Sequence, residues 1–205
     1  MVVANEEENL KELLPLVHPF VDEIVVVNQG STDGTELVCK EYGAKVFTKT
    51  RKFLADIDRN MCYLSASGDW IFGLDADERP TPELLVKLKI LASANNVDCY
   101  WFKFDNKVDG VDINDILGKE SHPRLWRKGA VDWPERAHTW PQVKSNRQCF
   151  LDYKIKHHRT LERIEKVHAS RKQAIDPQNQ QIEDRFLQMV REKLTVMRKN
   201  NGNGT

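Results

Sequence analysis

No apolar run in this sequence approaches the ~20 residues that a membrane-spanning helix needs. The opening MVVANEEENL has neither the basic start nor the long apolar core of a secretory leader. Cysteine is sparse. Cys39, Cys62, Cys99 and Cys149 stand far apart and form no Cys-x-x-Cys pair, so a reduced, cytoplasmic chain is expected, with at most peripheral contact with a membrane. Nor does one sign of charge prevail, since 31 Lys and Arg balance 31 Asp and Glu. The balance hides a split: residues 1–98 carry 10 basic and 17 acidic side chains, residues 99–205 carry 21 and 14, so a net −7 adjoins a net +7. A basic C-terminal half could face phosphates, anionic lipid or nucleic acid; acidic residues interrupt it throughout, and a mixed, solvated surface accounts for it as well.

What is present is enough chain for one domain with a real core, and no internal repeat. The first hundred residues alternate strand and helix signals. MVVA reads as the end of a first strand, and NEEENLKELLPLV as a helix with Asn5 at its N-cap and acids in its first turn. EIVVVN is a β-branched run suited to a parallel strand buried on both faces. A helix ending at Gly43, the strand KVFTKT and a helix ending at Gly68 follow. DWIFGLD is a fourth strand, TPELLVKLKILASAN a helix with Thr81 as N-cap and Pro82 at its first position, and DCYWFKF a fifth strand. This order predicts an α/β fold: an open, mainly parallel sheet with helices on its faces.

In such sheets ligands bind at the carboxyl ends of the strands. WIFGLDADERP drives an apolar strand straight into Asp75, Asp77 and Glu78 at such an exit. Carboxylates buried without a partner are costly, so their clustering there points to a cation. Two carboxylates with one residue between them can hold a hard divalent ion through oxygen. Asp77 could instead cap the helix that follows, a role Thr81 already fills.

Beyond residue 104 the pattern loosens. DNKVDGVDINDILGKESH reads as an irregular loop, and PRLWRKGAVDWPERAHTWP is rich in Trp and Arg. CFLDYKIKHH alternates like a strand, with Leu151, Tyr153, Ile155 and His157 on one face and His158 on the other. Two helices follow Thr160, separated at Pro177. The second aligns Ile182, Phe186, Met189, Val190, Leu194 and Met197 in one stripe. A lone helix of this length is marginal in water, so the stripe should dock on the domain or on a second copy, giving a homodimer. The expected division is a domain over 1–158, a helical appendage over 159–199 and a disordered tail over 200–205.

NEEENL, DEIVVVNQGSTDGT and DRNMCYLSASGDWIFGLDADERPTPEL, in this order and spacing, resemble the family 2 glycosyltransferases of the GT-A (Rossmann-like, nucleotide-sugar-binding) fold, and most of all the subgroup that contains lipopolysaccharide core glucosyltransferases. The likeness is strong over residues 1–100 and weaker through HPRLWRKG and HH. It implies metal-dependent, inverting transfer of a hexose from a nucleotide-sugar, UDP-linked such as UDP-glucose, to an acceptor hydroxyl on a saccharide or glycolipid. The resemblance makes DAD the DxD motif: Asp77 would hold Mn or Mg, joined by His157 or His158, and Asp75 would contact the ribose or a metal-bound water. A neutral imidazole suits Mn²⁺ better than Mg²⁺. Donor contacts are implied for Asn5, Glu7, Asn28, Gln29, Asp33, Arg59, Asp75 and Ala76. Arg59 would bond two diphosphate oxygens at once; its other reading is a surface arginine paired with Asp56 or Asp58. Asn28 and Gln29 stand where the family has an Asp, and an amide can still read a base edge. Asp33 and Gly34 also suit a plain turn, and the two histidines also suit a basic surface patch.

The chain departs from the subgroup where a His-Glu pair would supply the general base, because His138 is followed by Thr139. Threonine cannot take the acceptor's proton. Glu135, Asp132 and His138 remain as candidates. The missing glutamate also admits a non-catalytic homologue that only binds nucleotide-sugar. A third reading is a phage-type enzyme acting on a hydroxymethylated DNA base, which would have to be flipped out to react. It rests on the +7 half and on Trp126, Trp133 and Trp140 among Arg124, Arg127, Lys128 and Arg136, residues that would equally pack a loop over a sugar acceptor.

Overall fold

The computed structural model of the chain describes residues 1–50, 56–117, 121–134, 141–172 and 177–202. β1 (Val2–Val3), β2 (Val25–Gln29) and β3 (Lys45–Lys49) pair in parallel in that order, and α1 (Glu7–Val17) and α2 (Thr35–Glu41) are the crossovers. β2 is buried on both faces: Val26 and Val27 are fully covered and so are the polar Asn28 and Gln29. Asn5 does not cap α1. It takes left-handed backbone (φ +57°), which asparagine tolerates, and Glu6 stands at the cap position instead.

α3 (Asp56–Leu64) leads to β4 (Trp70–Phe72), β5 (Arg79–Pro80), α4 (Pro82–Leu85), α5 (Leu88–Ala92) and β6 (Cys99–Val108). The single helix expected from Thr81 is thus two short ones. Thr81 has extended cap backbone but makes no side-chain capping bond. The loop expected over residues 105–122 is largely ordered. β6 continues to Val108, turns through Asp109 and Gly110, both at positive φ, into β7 (Val111–Asp112), and α6 (Asn114–Leu117) follows. β8 (Ser121–Arg127), β9 (Val131–Asp132), β10 (Gln142–Val143) and β11 (Gln148–Arg159) complete the strands. A mixed sheet runs β4-β8-β6-β11-β5 with β7 on β6. Within it β6 and β11 are parallel and the other pairs antiparallel. β4 joins this sheet through β8 rather than extending β1–β3.

Leu13 of α1, Leu84 of α4, Phe102 of β6 and Ile155 of β11, all fully buried, form one core cluster. A second joins the two sheets: Val2 and Val27 meet Cys62 and Tyr63 of α3, Ile71 of β4, Cys99 of β6 and Trp126 of β8. Gly73 is required there, since a Cβ on it would lie 2.2 Å from the Trp126 ring. Ala76 packs with Val3, Leu10 and Val26, anchoring the chain between the two aspartates.

α7 (Leu161–Arg171) and α8 (Pro177–Gly202) pack back on the extension of the mixed sheet. Leu187, Val190 and Leu194 of α8 are buried with Val108, Ile113 and Ile164. The stripe read from sequence is therefore rotated: Leu187 belongs to the docked face, whereas Ile182, Met189 and Met197 stay 52%, 37% and 38% exposed. α8 also includes residues 200–202, expected in the tail; residues 203–205 lie outside those described. Among the described residues no helix is long and apolar enough to cross a membrane, and all four cysteines are free.

Candidate active site

A cavity of about 600 Å³ opens where β4, β6 and β11 end and β8 begins. It is lined by Asp75, Ala76, Asp77 and Glu78, by Arg59 and Trp133, by His157 and Arg159, and by Arg163, His168 and Arg171 of α7. Gly73 N–H donates to Arg124 O at 2.8 Å, and the Arg79 guanidinium donates to Ala76 O at 2.6 Å and to the Asn9 carbonyl at 3.1 Å, so the acidic turn is pinned from both sides.

Asp75 is bound in a two-pronged ion pair: Arg59 Nη1 and Nη2 donate to Oδ1 and Oδ2 at 2.7 and 3.1 Å. Burial raises its carboxyl, but Arg59 and then Arg124 outweigh that and lower it to about 2. Arg59 also meets the Tyr63 hydroxyl at 3.2 Å and the Trp133 ring, 4.7 Å from the guanidinium; the side chain of Asp56 lies outside those described. Asp58 instead holds Gln29 Nε2 at 2.7 Å and Lys49 Nζ at 2.8 Å.

Asp77 faces His157, with Oδ2 3.3 Å from Nε2, while Arg163 Nε stands 3.9 Å away. Burial pushes this carboxyl up, yet the His157 ring, Arg159 and Arg163 together hold it well below the usual carboxylate range. A hydrogen-bond chain fixes the imidazole. Asn106 Nδ2 donates to Asn114 Oδ1 at 2.8 Å, which turns Asn106 Oδ1 toward His157 Nδ1 at 3.0 Å. With Nδ1 turned to Asn106 Oδ1, Nε2 is the nitrogen that faces Asp77, and it is the one a ligating imidazole would offer to a metal. His158 points away, 2.9 Å from Asp105, so of the two histidines only His157 joins the acids. Among the described residues no group of three or more His, Cys, Asp and Glu stands ready to hold a metal. Asp77 and His157 bring an anionic oxygen and an imidazole nitrogen, donors that would fit a divalent cation.

Four further ionic groups shape the cavity. Glu78, 1% exposed, accepts from Arg124 Nε at 3.0 Å and Nη2 at 2.6 Å. Arg163 reaches across to Glu6, with both carboxylate oxygens 2.7 Å from Nη2. Arg171 pairs with Glu183 at 3.1 Å. Arg159 differs: it lines the cavity and makes no ion pair among the described residues, its Nε is buried without a hydrogen-bond partner, and burial lowers its pKa. Sequence reading assigned no role to Glu78, Arg159 or Arg163. For Arg159 a signal existed, because the two-residue period of a strand puts residue 159 on the face of His157.

The remaining expected donor contacts lie apart from the cavity lining, in two interlocked loops. Asn5 Oδ1 accepts from Thr32 N at 2.8 Å, Glu7 Oε2 from Gly34 N at 2.8 Å, Asn28 Oδ1 from Ser31 N at 3.0 Å and Asp33 Oδ1 from Thr35 N at 3.0 Å. Of the base candidates, Glu135 and His138 lie outside the described residues. Asp132 is described and is turned aside: its Oδ1 accepts from Asn60 Nδ2 at 3.0 Å. Asn60 also donates to Trp133 O at 2.7 Å and accepts from Trp133 N at 2.8 Å, fixing the backbone at Trp133. Trp126 and Trp133 are 1% and 6% exposed, Arg124 is held by Glu78 and Arg127 by Asp98, so these residues do not make an exposed stacking face.

Comparison with known proteins fits this geometry. The model of the family described as Glycosyl transferase family 2 matches residues 1–131. A TPR repeat-containing protein of Synechococcus elongatus is 37% identical over 89 residues, 43% of this chain and 22% of that protein. An uncharacterized glycosyltransferase of Rickettsia typhi is 31% identical over 106 residues, 49% of this chain and 34% of the relative, so the chain spans only about a fifth to a third of these two relatives' own length. Among solved structures, S. aureus TarS 1–349 in complex with UDP-GlcNAc superposes with a TM-score of 0.58 at 17% identity, over 92% of this chain and 69% of that one. The fold is thus the α/β GT-A fold, and the chain belongs to glycosyl transferase family 2.

Proposed function

We propose that the chain transfers a hexose from a UDP-linked sugar to a hydroxyl of a saccharide or glycolipid acceptor, with inversion at the sugar carbon. The observation that carries this reading is the charge inventory of the cavity. Four ion pairs cancel one another, which among the described residues leaves Asp77, beside His157, and Arg159, which makes no ion pair. Asp77 and His157 would hold a divalent cation, which would supply Lewis-acid stabilisation of the negative charge on a departing diphosphate. Asp77 brings the anionic oxygen, and His157, locked by Asn106, the nitrogen. Arg159, without an ion pair among the described residues, is placed to bind a phosphate oxygen, and Arg163 ties α7 to Glu6 beside Asp77. Asp75 holds Arg59 rather than the cation, and Arg59 in turn lies over Trp133. The acceptor's proton passes to a base close to Trp133 in the sequence. Asp132 is engaged with Asn60, so Glu135 is the favoured base and His138 the second candidate.

The family relatives bear on this in general terms, since the TarS structure holds UDP-GlcNAc. The test is calorimetric titration of UDP-hexoses with and without Mn²⁺, in wild type and Asp77→Asn. Donor binding that requires the ion in wild type and is lost in the variant is expected. Equal affinity with and without chelator in both proteins would refute the assignment. Release of hexose from the bound donor on long incubation separates an enzyme from a homologue that only binds.

A further inference from the structure

α8 covers one apolar stripe and leaves a second one open. Beside the docked Leu187, Val190 and Leu194, the residues Ile182, Phe186, Met189, Lys193 and Val196 follow one another at alternating steps of four and three. That is the spacing with which a helix meets a second helix along a seam. Ile182 and Val196 are 52% and 56% exposed, Met189 is 37% exposed and Phe186 is only partly covered. Lys193 interrupts the stripe and is tied to Asp115. The outer margin of the seam carries Arg185 and Glu192, both exposed. Arg185 makes no ion pair among the described residues, while Glu192 accepts only from Gln188 of its own helix at 2.8 Å.

We propose that this seam is the interface of a symmetric dimer in which the α8 helices of two copies run antiparallel. In that register Phe186 of each copy lies against the partner's Met189, a sulfur–aromatic contact, and Arg185 of each meets the partner's Glu192. The charges decide the direction. A parallel pair would set Lys193 against Lys193 and would leave Arg185 and Glu192 without each other, whereas the antiparallel pair forms the same ion pair twice about the two-fold axis. The arrangement is self-complementary, which is why a second copy of this chain is the occupant. Ile182 and Phe186 also line the cavity, so the partner's helix adds to the cavity's rim.

The experiment is light scattering behind size exclusion, on a dilution series of the full chain. Wild type is expected to be a dimer that dissociates on dilution. Arg185→Glu and Glu192→Arg each weaken it by roughly tenfold or more, the equivalent of about 1.4 kcal/mol. Both positions are exposed, so the helical circular dichroism stays unchanged. The doubly reversed protein, carrying Arg185→Glu with Glu192→Arg, regains the wild-type dimer. A wild type that is monomeric up to its solubility limit overturns the proposal. So does a dimer that neither reversal weakens, and so does a double reversal that fails to restore association.

Discussion

Asp75 and Asp77 are two residues apart and have opposite surroundings. Asp75 is neutralised by an arginine of its own chain; Asp77 is left with an imidazole and a guanidinium at a distance. The Asp75 pair has a pH signature. Its carboxyl falls from 3.8 to about 2 on folding, so its contribution to stability is present above the unfolded value and is lost as the pH drops through that window. Urea unfolding midpoints of Asp75→Asn should therefore decline less steeply over that range than those of wild type, and parallel curves would mean the pair contributes nothing. Asn60 acts on a different residue, Trp133, through bonds to both its N–H and its carbonyl. Asn60→Ala should cost about 1–3 kcal/mol of stability. It should also shift tryptophan emission to longer wavelength as the indole gains solvent; an unshifted spectrum would show that packing alone holds the ring. The two aspartates were legible in sequence because acids after an apolar strand are unusual. The partner of Asp75 was not, because Arg59 lies on a helix sixteen residues earlier and only tertiary packing brings it over the turn.

Among the elements, the parallel strands announced themselves through β-branched runs and the helices between them through caps and glycine stops. The hairpin of β6 and β7 was missed although Asp109-Gly110, a strong two-residue hairpin turn, sits between Lys107-Val108 and Val111-Asp112. The polar composition around it outweighed the turn chemistry in that reading. α8 shows a different limit. Its apolar arc is broad enough to hold two stripes, and periodicity alone does not say which one faces the domain. Stability separates them: Leu194→Ala, at a fully enclosed site, should cost about 2–5 kcal/mol, while Val196→Ala on the open stripe should stay within about 0.5 kcal/mol in the dilute monomer. Equal losses at the two positions would mean the helix is docked in another rotation.

At the scale of the whole molecule, the far ends of the chain meet over the cavity, where Arg163 of α7 grips Glu6 before α1. Glu6→Gln should loosen α7, which hydrogen exchange would register as faster amide exchange in residues 161–171 with β6 and β11 unaffected; no change in α7 would mean the hydrophobic contact of Ile164 suffices to hold it. Such long-range ties, like the pairing of β4 with β8, leave no local trace in sequence, which is why the fold class could be read and the second sheet's order could not. The central pair of that sheet has one more implication. β6 and β11 match over ten registered positions, Cys99 with Gln148 at one end and Val108 with Arg159 at the other, so about fifty residues intervene between partners. During synthesis β6 must emerge and wait, one edge unclaimed, until the second strand leaves the ribosome. Loop closure of that length makes the β6–β11 join the slow step of folding, and a nascent chain stalled before residue 148 would carry an open edge available to neighbouring chains.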